Sequence, residues 1–265
     1  RSNSNPDDDT AAKGGPGDTK TPTKHPDGAV AFLDANEDGI YQASEESYTV
    51  RELEDLSVDG NIRVIRDAVM NDGSLDGISI DATNITIEPG IEMSTTGGGQ
   101  TIDLISEETI DISSSSIQSV APITIDAGNQ LIAEAADIQT TGGGGDINLN
   151  SGSSMNIAST SVQSIAPIAI DAGEEINSDN ANIVATGGGS DITFESGSDI
   201  SVSNANIEAI NIEFDSSGFI DLDGTGLAAA SYGSLSADLT GNADLFVEDA
   251  SFTSGGDPAD LEYGP

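Results

Sequence analysis

The sequence predicts an all-β protein whose main part is a three-sided parallel β-helix, preceded by a small N-terminal α+β cap. Three observations lead to this prediction. Short segments alternate apolar and polar residues, as strands with one buried face do. Whole segments recur at a fixed interval of 45 residues, which indicates stacked supersecondary units. The apolar residues are mostly Ile, Val, Leu and Ala, with no Trp and no Cys, which is typical of thin, repetitive cores.

The 45-residue repeat is clearest between "IQSVAPITIDAG" at 117–128 and "VQSIAPIAIDAG" at 162–173. Each repeat divides into alternating segments of seven or eight residues, such as "DINLNSG", "SSMNIAS" and "TSVQSIAP". Three such segments form one coil of about 22 residues, so one repeat is two coils. Residues 74–253 then hold about eight coils, a rod ~38 Å long at ~4.8 Å per coil. The residues expected to point inward include Ile147, Leu149, Met155, Ile157 and Val162.

The glycine-rich stretch "TTGGGGDINLNSG" (140–152) raises the question of a phosphate-binding loop. Such a loop places its glycines before a helix N-terminus, whereas these glycines are followed by an alternating strand without a lysine. Copies of the Thr-Gly pair stand one repeat away at 96–97 and 186–187. The stretch is therefore predicted to be a corner, where glycine adopts conformations that other residues avoid. One such corner on every second coil would form a glycine strip that lets a neighbouring rod approach.

The charge of the chain is extreme and unevenly distributed. The net charge is −40, and all seven basic residues lie in the first 66 positions. Of the 47 acidic residues, 14 lie in that stretch and 33 follow it without any basic residue. Such self-repulsion destabilises a compact state in dilute buffer, and salt screens it, with a Debye length of ~3 Å at 1 M. The composition predicts adaptation to high salt, as in a halophilic archaeon, to calcium or to both. Nucleic acid and anionic membranes are not expected as partners, because neither offers the positive charge that this surface needs.

Four segments are expected along the chain. Residues 1–27 form an extended polar arm, which a neighbouring subunit would hold in order. Residues 28–73 form the cap, with a short helix at 49–56 that begins with capping-box spacing. Residues 74–253 form the β-helix, and residues 254–265 form a tail. No run of 18 apolar residues occurs, so no membrane span is expected.

The segment "DANEDGIYQASE" (34–45) fits the calcium-loop pattern D-x-[DN]-x-[DN]-G-x₅-E at every position. In such loops the ion takes side-chain oxygens, one backbone carbonyl and a closing bidentate Glu. The predicted ligands of a structural Ca²⁺ are Asp34, Asn36, Asp38, Ile40 through its carbonyl, Gln42 and Glu45. The loop resembles EF-hand and dockerin sites, although the "GAVAFL" before it is β-like rather than helical. The alternative is an acidic turn whose spacing arises by chance.

The segments "GGGGDINLNSGSSMNIAS" and "GGGSDITFESGSDISVSN" resemble the repeats of filamentous-haemagglutinin-type surface adhesins. The shared pattern has the form GDI-x-L-x-(S/A)-G, and the resemblance extends over residues 74–225 at most. It implies a right-handed β-helix in an extracellular setting. It assigns no catalytic residues.

Other polar residues are candidate sites. Asp81, Asp126 and Asp171 recur every 45 residues. Two coils apart they would be ~9.6 Å from each other, which predicts a solvated acidic stripe, with weak divalent-cation binding as the alternative. Asn84, in "NIT", is the only N-glycosylation sequon. Catalysis is not expected, because the β-helix segment has no Lys, Arg or His to bind a uronate substrate, although paired carboxylates could serve as acid and base.

The predicted function is that of a structural subunit in a homopolymeric extracellular filament or cell-surface assembly. Unpaired strand edges at the ends of a β-helix favour pairing with another chain, and head-to-tail contacts propagate into fibres. The arm would pack on the next subunit. The alternative is a surface adhesin or viral spike-type protein that binds a receptor or a surface glycan with one side of the rod. A start at Arg1 rather than Met fits a mature secreted chain.

Overall fold

The structure is a computed structural model. The predicted N-terminal arm, except for residues 26 and 27, lies outside the residues that it describes, and so does the predicted tail beyond residue 254. The described residues are 26–42 and 44–229, with the backbone of three further strands at 235–239, 245–246 and 251–254.

The described chain consists of short strands and one 3-10 helix, Val50–Asp55. In chain order the strands are β1 Ala29–Leu33, β2 Ser47–Thr49, β3 Leu56–Ser57, β4 Asn61–Val64, β5 Ala68–Met70, β6 Gly77–Ile87, β7 Glu92–Thr95, β8 Thr101–Asp111, β9 Ser116–Ser119, β10 Ile123–Ala127, β11 Gln130–Ile132, β12 Asp137–Thr140, β13 Ile147–Ser151, β14 Met155–Asn156, β15 Ser161–Ser164, β16 Ile168–Ala172, β17 Ile176–Asn177, β18 Asn182–Ala185, β19 Asp191–Ser196, β20 Ile200–Ser201, β21 Asn206–Ala209, β22 Asn211–Ser216, β23 Ile220–Asp221, β24 Gly226–Ala229, β25 Leu235–Leu239, β26 Leu245–Phe246 and β27 Ser251–Ser254.

Three strands form each coil, and each pairs in parallel with the equivalent strand one coil before and one coil after it. The backbone N–H and C=O groups of each strand therefore form their hydrogen bonds with the coils on either side. The predicted three-sided parallel β-helix is confirmed, with about eight turns. Face 1 consists of β3, the first halves of β6 and β8, and β10, β13, β16, β19, β22 and β25. Face 2 consists of β4, the second halves of β6 and β8, and β11, β14, β17, β20, β23 and β26. Face 3 consists of β5, β7, β9, β12, β15, β18, β21, β24 and β27.

The register of face 1 gives the length of each coil. An isoleucine ladder runs through Ile78, Ile102, Ile123, Ile147, Ile168 and Ile192. The steps from 78 to 102 and from 102 to 123 are 24 and 21 residues, and this alternation continues to residue 192. A long and a short coil together make the 45-residue repeat, so the predicted double-coil repeat is confirmed.

The core is a stack of inward-facing aliphatic side chains, because alternate residues of a strand point to opposite faces. The rings of Phe194 and Phe214 stack inside it with centroids 4.9 Å apart. The inward residues predicted from the sequence are at most 1% exposed, and they are Ile147, Leu149, Met155, Ile157 and Val162.

The N-terminal end of the rod is covered by the cap. Strand β1 pairs antiparallel with β2 and with β4, the first strand of face 2. The helix expected at 49–56 is a 3-10 helix, in which Glu52 accepts hydrogen bonds from the Thr49 N–H at 2.7 Å and from its hydroxyl at 2.8 Å. Leu53 of this helix is fully buried and belongs to the core. Strands β3, β4 and β5 form the first coil, so part of the segment predicted as a cap belongs to the β-helix.

Two kinds of corner recur along the rod, one fixed by close approach of successive coils and the other by backbone conformation. Between faces 1 and 2, a Cβ added to Gly152 would lie 2.1 Å from the carbonyl oxygen of Gly128, and one added to Gly173 would lie 2.2 Å from that of Gly152. Only glycine fits such a stack. Between faces 2 and 3, each coil from the second to the eighth places one residue at a φ between +56° and +81°, and these residues are Gly90, Ser114, Ala135, Ser159, Asn180, Asn204 and Gly224.

Candidate calcium loop

The predicted calcium loop connects β1 and β2 at the N-terminal end of the rod. Strand β1 ends at Leu33 and β2 begins at Ser47, so strands rather than helices flank the loop. The N–H of Leu33 donates to the carbonyl of Glu46 at 2.9 Å, which holds the two ends of the loop together. The N–H of Asp34 donates to the carbonyl of Asn61 at 2.8 Å, which attaches the loop to the first coil.

Three of the predicted ligand side chains accept hydrogen bonds from the backbone of the loop itself. Asp34 Oδ2 accepts from the N–H of Gly39 at 2.9 Å, Asn36 Oδ1 from that of Asp38 at 3.1 Å, and Asp38 Oδ1 from that of Ile40 at 2.9 Å. Gly39 has a φ of +70°, a conformation that glycine adopts without strain. The loop backbone therefore wraps around these three side chains.

Glu45, the predicted closing ligand, turns back into the loop. Its Oε2 accepts a hydrogen bond from the Gln42 N–H at 2.7 Å. The Gln42 side chain in turn donates through Nε2 to Asp38 Oδ2 at 3.1 Å. The structure thus brings the predicted side-chain ligands into one hydrogen-bonded loop. Ile40, predicted to act through its carbonyl, has a side chain that is 48% exposed.

Two carboxylate oxygens of the loop are buried without any hydrogen-bond partner, namely Asp34 Oδ1 and Glu45 Oε1. Asp34 as a whole is only 3% exposed. A buried acceptor without a partner costs about 1–3 kcal/mol, and more when it is charged. Calcium takes hard oxygen ligands from Asp and from a bidentate Glu, so a bound ion would satisfy both atoms. The donor chemistry of the loop therefore fits the predicted ion.

The acidic side chains of the loop do not form a metal cluster by themselves. In the part of the chain that the structure describes, no three Asp, Glu, His or Cys side chains converge into a metal-binding group. Both oxygens of Asp38 already accept hydrogen bonds, from Ile40 and from Gln42. Calcium binding would therefore compete with the Gln42 side chain for Asp38, and it would need neutral oxygens such as that of Asn36.

Arg63 fastens the loop to the first two coils. Its guanidinium carbon lies 3.4 Å from the position that a Cβ on Gly39 would take, so the side chain packs directly on the loop. Arg63 also forms an ion pair with Glu88, which follows β6 in the second coil. Both side chains are about a third exposed or less, at 26% and 33%. A groove of ≈ 340 Å³ lies beside the loop on face 2, with Asp34, Arg63, Asn84, Glu108 and Asp111 among its lining residues.

The Thr-Gly-Gly-Gly stretches are turns between faces 3 and 1, as the sequence predicts. Each lies in a long coil, so it accounts for the three residues by which long coils exceed short ones. Thr140 Oγ1 and Ser164 Oγ, from successive coils, both donate to the carbonyl of Gly145, at 2.7 and 2.9 Å. Thr95 and Ser119 hold the preceding copy in the same way. The hydroxyls therefore anchor these corners to the core side of the rod.

The acidic stripe is longer than the repeat indicates. Asp81, Asp126 and Asp171 are exposed and stand two coils apart in one outward column of face 1, as predicted. From Asp171 onward, acids occupy successive coils, because Glu195 and Asp215 continue the column. Asp238 follows Asp215 in the same column. The repeat does not reveal these three residues, since they lie in coils that do not preserve the repeated "IDAG" motif. The full column in the described strands is Ser57, Asp81, Ile105, Asp126, Asn150, Asp171, Glu195, Asp215 and Asp238.

Asn84, the sequon residue, is half-buried between neighbouring coils of face 2. Its Nδ2 donates to Asn61 Oδ1 at 2.7 Å, and its Oδ1 accepts from the Thr109 N–H at 3.0 Å. The nitrogen that would carry a glycan is thus engaged in a ladder between coils. These contacts oppose glycosylation of the folded chain.

The class that the fold defines is a parallel β-solenoid with an N-terminal cap. No family model matches the chain, and no curated protein or solved structure is significantly similar to it. The resemblances to haemagglutinin-type repeats and to EF-hand loops therefore stay predictions. Within the described ranges, none of the helical structure is long and apolar enough to span a membrane.

Proposed function

We propose that the protein is a structural subunit of a homopolymeric extracellular filament or cell-surface assembly, whose cap is stabilised by calcium. The observation that supports this best is the sheet of face 3, in which nine parallel strands begin with β5 and end with β27. Among the described strands, each of these two has one unpaired edge. Unpaired edges invite pairing with another chain, and a contact between opposite ends of a rod propagates instead of closing.

The charge of the rod supports assembly in concentrated salt. A net charge of −40 keeps rods apart in dilute buffer. Salt at about 1 M reduces the Debye length to ~3 Å, so that rods can come into contact. This requirement fits the surroundings of a halophilic organism.

Negative-stain microscopy of the purified chain in concentrated salt with calcium tests the proposal. We expect long filaments of constant width whose length grows with protein concentration. Discrete particles of one size at every concentration would refute the proposal. A chain lacking residues 1–27 tests the arm: it should lose assembly and keep the circular dichroism spectrum of the wild type.

A second candidate function is that of a surface adhesin that binds with the side of the rod. The groove beside the calcium loop favours it, because Arg63 and Asn84 offer donors there next to Glu108 and Asp111 as acceptors. A glycan array probed with and without calcium tests this function. Binding that disappears in a Glu108→Ala/Asp111→Ala variant would favour the adhesin, and absence of binding to every glycan would remove carbohydrate as its ligand.

A further inference from the structure

One side of the rod carries almost no charge, and we name it the neutral patch. It consists of four successive strands of face 3 and the corner that follows each of them. These segments are residues 116–122, 137–144, 161–167 and 182–189. Their 30 residues include one acid, Asp137, and no base, whereas the whole chain has 47 acidic residues among 265. Depletion of charged residues distinguishes the cores of protein interfaces. The patch therefore has the composition of a contact surface.

Acidic residues border the neutral patch. On face 3, Glu92 lies one coil before it and Glu208 one coil after it. Across the corner, Asp146 and Asp191 stand where the long coils enter face 1. A second copy of the chain carries the same net charge of −40. Two copies therefore oppose the fewest acids when they meet through their neutral patches.

The strands of the patch present a ladder of amide side chains. Gln118, Gln139 and Gln163 are in register on three successive coils, at a spacing of ~4.8 Å. Gln118 Nε2 donates to Ser116 Oγ at 3.0 Å, and Gln163 Nε2 donates to Ser161 Oγ at 2.9 Å. These hydrogen bonds hold both amides along their own strands. Ladders of Gln and Asn side chains stabilise the contact between two sheets that face each other.

The corner of the patch has projections and hollows that alternate from coil to coil. Long coils add turns that contain Gly143 and Gly188, where a Cβ would meet no atom within 4 Å. Short coils carry Val120 and Ile165 at this corner instead, and the Ile165 side chain is 43% exposed. Like projections are two coils apart, or ~9.6 Å. Two copies offset by one coil can therefore seat the glycine turns of one copy over Ile165 of the other.

We infer that the neutral patch is the lateral docking surface between two copies of the chain, each of which contributes its own patch. The inference rests on the proposed function and specifies how neighbouring rods lie side by side. The contact buries the exposed Ile165 side chain, which favours association. It also places two flat sheets of face 3 against each other, at the ~10 Å spacing of packed sheets.

The size of the patch makes one such contact weak. Four segments of seven or eight residues cover at most about 23 Å by 19 Å, or about 440 Å². A standard stable interface buries about 800 Å² on each partner. The net charge also opposes contact until salt screens it. Filaments that extend along face 3 present one patch per subunit, and repeated contacts between two filaments add up. Lateral association should therefore follow end-to-end association and need concentrated salt.

Cysteine cross-linking tests the contact, because the chain contains no cysteine of its own. Gln163→Cys lies in the amide ladder, and the control Asn150→Cys replaces an equally half-buried amide on face 1 of the same coil. Each variant is treated in concentrated salt with calcium, using a bismaleimide whose spacer is about 10 Å, the distance between packed sheets. We expect about tenfold more cross-linked dimer from Gln163→Cys than from Asn150→Cys.

Microscopy of the same samples separates this contact from the proposed function. Filaments with equal dimer yields from the two variants overturn the lateral contact and leave the proposed function standing. A preference for Gln163→Cys without filaments keeps the lateral contact and removes the filament. Neither filaments nor a preference would overturn both. Protection of Gln163→Cys from the reagent by dextran, without any dimer, would assign the patch to a neutral polysaccharide and overturn the inference.

A second pair of variants adds charge without introducing a cysteine. Gln139→Glu/Gln163→Glu places two acids in the amide ladder, and Asn148→Asp/Asn177→Asp adds the same charge on faces 1 and 2. Like charges placed opposite each other in a contact are unfavourable. We expect the patch variant to stay as single filaments at a salt concentration where the control and the wild type pair laterally, with the circular dichroism spectrum of the wild type. Equal dependence of filament width on salt in the two variants would overturn the inference.

Discussion

Calcium should stabilise the cap, and the double substitution Asp34→Asn/Glu45→Gln should abolish the effect. The expectation rests on Asp34 Oδ1 and Glu45 Oε1, which are buried and accept no hydrogen bond. At about 1–3 kcal/mol for each unsatisfied acceptor, the ion can recover about 2–6 kcal/mol. The substituted side chains keep the shape of the loop and remove the charges that attract the ion.

The size of the effect follows from binding linkage. At a free calcium concentration of about 100 times the dissociation constant, binding adds about 2.7 kcal/mol to the free energy of unfolding. This lies within the range that the two oxygens allow. For a chain of this size it corresponds to a rise of about 5–10 °C in Tm.

Differential scanning calorimetry at one fixed high salt concentration measures this shift, with calcium and with chelator. The matched control is Glu37→Gln/Asp59→Asn, which removes the same number of charges from exposed positions outside the predicted ligand set. The control should keep the full calcium shift. In chelator, the double variant should be no less stable than the wild type, because an amide replaces a buried carboxylate that lacks a partner.

Two results would refute this reasoning. A wild-type Tm that is the same in calcium and in chelator would show that the buried oxygens are not calcium ligands. An equal calcium shift in the wild type and in Asp34→Asn/Glu45→Gln would place the effect elsewhere on the acidic surface. The control variant distinguishes this second case from a general loss of charge.

Three other predictions concern the rod and the cap. Gly152→Ala places a Cβ 2.1 Å from a carbonyl of the preceding coil and should cost about 1–3 kcal/mol. Gly143→Ala adds a Cβ that has no other atom within 4 Å, so it should change the free energy of unfolding by less than about 0.5 kcal/mol. Equal urea midpoints for the two alanine variants would contradict this difference. Glu195 lies between Asp171 and Asp215 in the acidic column, so Glu195→Gln should stabilise the rod by about 0.2–1 kcal/mol in dilute buffer. A gain in stability that persisted at about 1 M salt would exclude charge repulsion as its cause. Burial, followed by the hydrogen bond to Glu46, raises the pKa of Tyr48 to about 12. The contribution of the protonated Tyr48 hydroxyl to the free energy of unfolding is therefore fully present below pH ~10, the pKa in the unfolded chain, and is lost as the pH rises toward the folded pKa. Tyr48→Phe should flatten this alkaline loss in urea titrations, and an unchanged pH profile would contradict it.

The sequence repeat predicts the coils well because one constraint acts on every copy. The inward residues recur with the strand period, and the register of the isoleucine ladder reproduces the 45-residue interval. The sequence does not predict the division of that interval into coils of 24 and 21 residues, because the alternation of apolar and polar residues continues through the corners of long and short coils alike. The first coil was also missed, since its strands β3 to β5 pack against the cap and do not carry the repeated motif.

The calcium motif locates the loop but does not predict its surroundings. Residue spacing places Asp34 and Glu45 at ligand positions. Whether their oxygens have partners depends on how deeply the loop is buried and on which N–H groups reach them. Arg63, which packs on Gly39 and pairs with Glu88 in the next coil, comes from a strand that follows the loop in sequence. No local pattern links these three residues, so only the fold reveals the contact.

The distribution of charge also determines how the rods can associate. The sides carry columns of acids, such as the one through Asp171, Glu195 and Asp215, so lateral contact between two rods brings like charges together. The N-terminal end is acidic as well, since residues 28–76 contain twelve acidic and three basic residues, but an end contact can form backbone hydrogen bonds along the edge of β5 that no described strand pairs. In moderate salt, end contacts, which gain these hydrogen bonds, should therefore form before lateral contacts, which favours single filaments. Higher salt screens both terms, and the backbone hydrogen bonds of the end contact then remain while the barrier to bundling falls. Filament width measured against salt concentration should accordingly increase at high salt, and bundles that form before single filaments would contradict this order.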